Sequence, residues 1–335
     1  MTSVLHRNRL IQRSHNWIWR FQERLKLFLF PSVSDSWLAV LRIGLGFQLM
    51  LYCLSLRKDW IQLFGANGTG LINRELIEAV VKLDSSFLPT LGWLVTLGNK
   101  IGLSEQTVLW CTWASLLCAS GFLLLGVLCR CSAIVAWFLY VCAANSGNLL
   151  AYGVDNFTII GLFYLMLAPF PDRYALDRKF WKSPIRDRRL HGFFRRVLQL
   201  HLSVIYFFGG LTKCLGVGWW TGENMWRALT HAPFNILPQH LIISGRALLP
   251  ILGIAILVLE TGYPVFIWLK KTRLVWLIAI VCMHIAIGLT MGLYLFALIM
   301  IVLNLAAFGP GLLRPEKTRT ELAVAKLEQA NSLRP

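Results

Sequence analysis

Residues 274–309 read LVWLIAIVCMHIAIGLTMGLYLFALIMIVLNLAAFG, a stretch without one lysine, arginine, aspartate or glutamate. A helix needs about 20 apolar residues to cross ~30 Å of hydrocarbon, so this run predicts two spans joined at Gly292. The stretch before it, 248–269, reads LLPILGIAILVLETGYPVFIWL and is a third, interrupted only by Glu260 and Pro264. Working outward, apolar segments at 37–56, 107–128, 132–147, 154–169 and 197–215 bring the expected number to eight. The composition agrees: 56% hydrophobic, 15% charged and a mean hydropathy of +0.60. Soluble domains hold about 45–50% apolar and about 25% charged residues. A soluble enzyme, a disordered chain and a secreted disulfide scaffold are excluded. The expected fold is an all-α integral membrane bundle spanning 37–309. A basic segment at 1–36 precedes it and a charged tail at 310–335 follows.

The charge of +17 tests the topology. A nucleic-acid protein gathers basic charge into a stripe on a polar fold; here it lies between apolar runs, which points to anionic lipid headgroups. With the N-terminus inside, 24 Lys+Arg fall on inner segments and 7 on outer ones, with Arg42 and Lys213 inside spans. The positive-inside rule then puts both termini in the cytoplasm, as in a multi-pass cell-membrane protein. No signal-peptide layout is expected at the N-terminus. Instead Trp17, Phe21, Leu25, Phe28 and Leu29 recur at helical spacing with Arg13, Arg20 and Arg24 nearby, as in an amphipathic helix on the inner surface. A poorly ordered basic leader is the alternative.

The first outer loop, 57–106, carries five cations and five carboxylates, and Phe87–Leu97 within it is too short to span. Pro89 and Gly92 favour a re-entrant or interfacial segment there. Eight cysteines lie mostly inside apolar runs, where small buried hydrophobes are the default. Cys53 and Cys214 both fall near outer helix ends, which leaves a bridge between them open.

Ionisable residues inside spans are costly and mark candidate sites. They are Arg42, His201, Lys213, Glu260 and His284, joined by Asp155 at an outer helix end. Glu260 lies four residues before Pro264, whose missing N–H frees a carbonyl in the same turn. Glu260 and His284 fall at similar depth in consecutive antiparallel helices, so contact between them is expected. Without an H-x-x-x-H or acidic cluster, no metal is predicted. Lys213 closes the stretch Tyr206-Phe-Phe-Gly-Gly-Leu-Thr-Lys213; Tyr206 shares its helix face, and Gly209 and Gly210 allow close helix approach. A desolvated lysine there is a usable base; snorkelling to the headgroups is the alternative. Trp219, Trp220 and Gly222 follow as an aromatic belt. Asn145, Asn148, Tyr152, Asp155 and Asn156 crowd an outer turn on the same side, where Lys213 and Asp155 will tend to pair by depth; a base at Lys213 instead requires it to lie deeper, away from that carboxylate.

These residues resemble the horizontally transferred transmembrane family, the membrane domain of vitamin K-dependent gamma-carboxylases. The likeness rests on Arg42-Ile-Gly-Leu-Gly, on Y-F-x-x-G-x-x-K from Tyr206 to Lys213, on W-x-x-G from Trp219 to Gly222, and on Glu260 before Pro264 with His284. It covers roughly 37–309. The resemblance implies a lysine base at Lys213, a reduced quinone (vitamin K-like) as cofactor near Tyr206, Gly210, Asn148 and Trp219, and a peptide modified at the outer face. Asn148 stands where the carboxylases have a histidine before a Tyr-Gly pair. No counterpart of the large soluble region that binds substrate in those enzymes is expected from these residues. Bacterial relatives limited to the membrane core include proteins that mature a secreted peptide toxin. A gamma-carboxylase-like enzyme is therefore the first expectation. A non-enzymatic maturation or chaperone component that binds an apolar peptide or lipid is the second. A transporter relaying protons through Glu260 and His284 is disfavoured, since the sequence shows no inverted repeat or matched broken helices.

Overall fold

The computed structural model describes residues 19–66, 73–85, 87–181 and 187–310, and every regular element among them is helical. Six helices are long and apolar enough to cross a membrane. They are α2 (Ser36–Ser55), α6 (Glu105–Leu125), α7 (Cys129–Ser146), α10 (Arg188–Cys214), α14 (Leu249–Phe266) with the short turn before it, and α15 (Arg273–Met291). Two further apolar helices, α8 (Gly153–Leu167) and α16 (Tyr294–Phe308), have 15 residues each. The eight segments expected from the sequence coincide with these helices. The main departure is α10, which begins at Arg188 rather than 197 because its first turns are basic and escape a hydropathy reading.

Apolar faces at i, i+3, i+4 and i+7 drive the packing. On α2, Leu38, Leu41, Leu45 and Leu49 are sealed against α6, α8 and α16. Chain neighbours pair as α6 with α7, α7 with α8 and α15 with α16, while α10 lies along α14. One continuous core runs through all eight helices, from Trp37 to Tyr206, Tyr263, Met300 and Phe308. Two glycines let neighbouring helices approach closely. A Cβ on Gly46 would stand 2.8 Å from the backbone nitrogen of Leu124, and one on Gly210 would stand 2.7 Å from that of Thr261. Small residues of this kind let membrane helices meet backbone to backbone.

The alternation of the helices collects 30–35, 126–128, 168–181 and 267–272 at one end, here the basic end. Arg42, a candidate site residue by its depth, is structural. Its guanidinium donates to both carboxylate oxygens of Asp172, at 2.6 and 3.3 Å, and to the carbonyls of Leu123 and Leu124. Both side chains are sealed. Nearby, Asp35 accepts from Arg173 and Arg178. A helix at 19–29, α1, is exposed along its apolar face and anchored by Phe28, which stacks on Trp268 and lies beneath the Arg196 guanidinium. That matches the amphipathic pattern from Phe21 to Leu29; Trp17 and Arg13 lie outside the described residues, as does the tail beyond 310.

At the opposite end, α3 (Trp60–Phe64), α4 (Arg74–Asp84) and α5 (Leu91–Lys100) form a cap. Glu78 accepts from Arg74, the backbone N–H of Gly92 and the Ser146 hydroxyl, and Arg74 also bonds Glu105. Burial works to lower the Arg74 pKa, but Glu78 and Glu105 outweigh it and the net direction is upward. Three of the loop's ten charges, Arg74, Glu78 and Glu105, thus pair to fasten it. The segment Phe87–Leu97 becomes α5 with the turn before it, burying Leu91 and Val95 while Trp93 and Leu97 stay exposed. All eight cysteines are free, so Cys53 and Cys214 are not bridged.

Candidate functional site

The site begins with α10, whose N-terminus is capped by Asp187. Tyr206, Gly210 and Lys213 recur at four and three residues and lie on one face of that helix, which meets α14. On α14 the facing positions are Gly253, Leu257, Glu260 and Tyr263, all buried. Lys213 Nζ donates to Glu260 Oε2 at 2.5 Å. A Cβ built on Gly209 would lie 3.5 Å from that carboxylate oxygen and 3.8 Å from the ammonium nitrogen. The lysine therefore bends back along its helix, as the tilt of a helical Cα–Cβ bond favours, and its charge sits one turn deeper than its own Cα. Snorkelling outward is not the arrangement found. The side chains are 27% and 10% exposed, so the pair is partly open.

Above the pair lies α11 (Val217–Trp220), with the Trp219 ring centroid 5.4 Å from Lys213 Nζ. α11 and α12 (Glu223–Thr230) pack on α14, and only a glycine at 253 admits the Trp219 carbonyl. One turn below the pair, four helices meet in a single hydrogen-bonded chain. Tyr263 donates to Asn304 Oδ1 at 2.7 Å; the Asn304 amide donates to the Tyr206 hydroxyl and to the Met300 carbonyl, each at 2.8 Å. The Tyr206 hydroxyl, already an acceptor, gives its one proton to His284 Nε2 at 2.8 Å. That assignment leaves the neutral imidazole protonated at Nδ1. Among the described residues Nδ1 has no partner, although His284 is only 3% exposed. The Tyr206 and Tyr263 rings stack at 4.2 Å and form the floor.

Two expected contacts are corrected. Glu260 meets Lys213 and His284 meets Tyr206, so equal depth did not bring Glu260 and His284 together. Asp155 accepts from the Tyr140 hydroxyl at 2.9 Å and from the backbone N–H of Tyr152 at 3.0 Å, and does not pair with Lys213. In both cases helix rotation, which hydropathy does not encode, chose the partner. Of the remaining candidates, Tyr206, Trp219 and Gly210 surround Lys213, Gly210 as the helix contact. Asn148 is exposed on the turn between α7 and α8 and takes part in none of these bonds. Asn145 donates to the Pro89 carbonyl. His201 bonds the Tyr164 hydroxyl at 3.0 Å, fastening α10 to α8. Sequence reasoning missed Asn304 and Asp172. The lone amide within 293–309 was the available signal for the first; Asp172 lies just past a span and had none. Among the described residues no three His, Cys, Asp or Glu side chains are grouped to hold a metal ion.

Chemically, the arrangement offers one carboxylate and one amine sharing a proton in an apolar setting, roofed by an indole and underlain by a polar chain that ends at the unpartnered His284 Nδ1. The chain matches no family model, no curated protein and no solved structure.

Proposed function

We propose that this chain is an eight-span protein of the cell membrane with both ends in the cytoplasm, and that Lys213 and Glu260 form the proton-handling centre of a gamma-carboxylase-like enzyme acting on a peptide at the outer face. The single observation carrying the reading is the inward fold of Lys213 onto Glu260 at the level of Gly209. A lysine kept only as an anchor reaches for the headgroups; this one is turned toward the core. α8 and α16 complete the eight spans by apolar character, and the excess of Lys+Arg on alternate loops supports the orientation.

The resemblance in the Tyr206–Gly222 block supports a reduced quinone as cofactor. The residues fit such a group: a carboxylate–amine pair, the Trp219 indole and the unpartnered Nδ1–H of His284 offer proton exchange, ring packing and a donor. Lys213, Glu260 and Trp219 would hold it, and what a reduced quinone supplies is a hydroxyl proton and the reducing equivalents for oxygen chemistry. The proton count of the pair is informative. As an ion pair it holds one proton, on the amine, and can accept one more, on Glu260. The amine itself becomes a base only after its proton has moved to that carboxylate. Glu260 thus takes the ammonium proton, and the freed Lys213 amine is the base.

A second reading is favoured by the short contact itself: the pair could simply fasten α10 to α14 in a non-enzymatic component that holds an apolar peptide or lipid. One experiment separates them. Quinones retained by the purified protein are identified by mass spectrometry, and peptide product is followed for Lys213→Arg and Glu260→Gln. The enzyme reading expects a retained quinone and loss of product in both variants, because guanidinium holds its proton and the amide cannot accept one. Full product from Lys213→Arg would overturn it in favour of the fastening role.

A further inference from the structure

A second site lies at the basic end, where α6 turns into α7. The turn is tight, with Leu128 in the left-handed region at φ 46°. Asp177, on α9 (Leu176–Phe180), crosses to the start of α7 and accepts the backbone N–H groups of Leu128 and Cys129 at 2.7 and 2.8 Å. Beside this junction is a cavity of about 250 Å3, lined among others by Arg130, Cys131, Phe170, Asp177 and Trp181. Arg130 donates to the carbonyls of Met166 and Ala168 at the end of α8. Those two bonds use two of the five guanidinium donors; the others are available to an incoming oxygen.

Three observations identify the occupant. Asp177 is engaged by the α7 N-terminus and Arg130 by the end of α8, and of the two only Arg130 keeps hydrogen-bond donors for an anion. Within this end of the molecule Arg42, Arg130, Arg173, Arg178 and Lys179 stand against Asp35, Asp172 and Asp177, a local excess of cations. Directly beyond the cavity, the exposed faces of α7 and α8 are apolar, with Ile134, Val135, Phe163 and Leu167 each 42–46% exposed. Trp181, 69% exposed, stands at the cavity mouth as indoles do at a headgroup boundary. A phosphate at Arg130 with hydrocarbon running along α7 and α8 is the chemistry of a phospholipid.

We propose that this cavity is a binding site for the headgroup of an anionic phospholipid, with Arg130 holding the phosphate and Trp181 covering the glycerol region. The proposal requires the chain to sit in a bilayer and is independent of the quinone reading. Cys131 is exposed and lines the cavity, so it reports occupancy. The full-length protein is placed in nanodiscs of phosphatidylcholine, with or without phosphatidylglycerol. Cys131 labelling by N-ethylmaleimide is then followed by peptide mass spectrometry.

Phosphatidylglycerol should slow labelling several-fold in the wild type and have no effect on Arg130→Gln, while inorganic phosphate added to phosphatidylcholine discs should leave the rate unchanged. Equal wild-type rates in the two lipids would overturn the site. Equal slowing in Arg130→Gln would assign the effect to general surface charge. Protection by inorganic phosphate alone would make it a free-anion site and overturn the lipid assignment. Should Arg130→Gln fail to fold, Trp181→Ala, which keeps the backbone N–H that caps α9 and removes only the exposed indole, should lose most of the protection; undiminished protection in it would also overturn the proposal.

Discussion

Two of the molecule's ion pairs, near opposite ends, are built differently. Arg42–Asp172 is sealed, with both side chains at 0% exposure, and its guanidinium makes four bonds to three partners. Lys213–Glu260 is partly open and rests on one hydrogen bond and one ring contact. A planar fork that satisfies a carboxylate and two carbonyls leaves no proton to exchange and no room for a visitor. A single ammonium on a single carboxylate leaves both. The first design specifies helix positions; the second keeps a titratable pair available.

The largest effect should follow from breaking the sealed pair. Arg42→Leu strands the Asp172 carboxylate in a buried site and is expected to destabilise by about 3–5 kcal/mol, measured by thermal unfolding in detergent. A loss below about 1 kcal/mol would remove the contrast between the two pairs. Next, Gly210→Ala drives a Cβ into the backbone of α14 and should cost about 1–3 kcal/mol, whereas Gly209→Ala meets only ordinary contacts and should be near neutral. Equal costs at the two glycines would show that Gly209 is also a packing residue and that the open pair is closed after all. Lys213→Leu should destabilise less than Arg42→Leu, by about 1–2 kcal/mol in the range of membrane polar contacts, while abolishing product. A smaller loss than for Lys213→Leu is expected for Tyr206→Phe, about 1 kcal/mol, from the amide N–H and imidazole nitrogen it leaves unmatched. A loss as large as that of Arg42→Leu would mean that the polar chain, not the sealed pair, dominates stability.

The eight apolar helices were legible because run length and hydropathy are local properties. What is not local was not legible. Hydropathy fixes depth along a helix but not rotation about it, so Lys213 could be paired on paper with Asp155, and Glu260 with His284, at the correct depths and with the wrong partners. The site face was partly readable, since Tyr206, Gly210 and Lys213 share one side of a helix by spacing alone. Asn304 was present in the sequence as a lone amide in an apolar run. Its role appears only when α16 is set against α10, α14 and α15. The early start of α10 was hidden because Arg188, Arg189, Arg195 and Arg196 belong to a helix but not to a hydrocarbon segment.

The brevity of α8 and α16 has a consequence for the lipid around them. Fifteen residues rise about 22 Å, well short of the ~30 Å hydrocarbon layer, whereas the 27 residues of α10 rise about 40 Å. If α8 and α16 cross the membrane as proposed, the bilayer along one flank must thin or flanking side chains must extend to meet it, at a fraction of a kcal/mol per ångström. Because α16 carries Asn304, any strain from a thicker membrane is delivered to the helix that completes the polar floor beneath Glu260. Membrane thickness thus becomes an input to the centre, and the protein should partition toward thin bilayers.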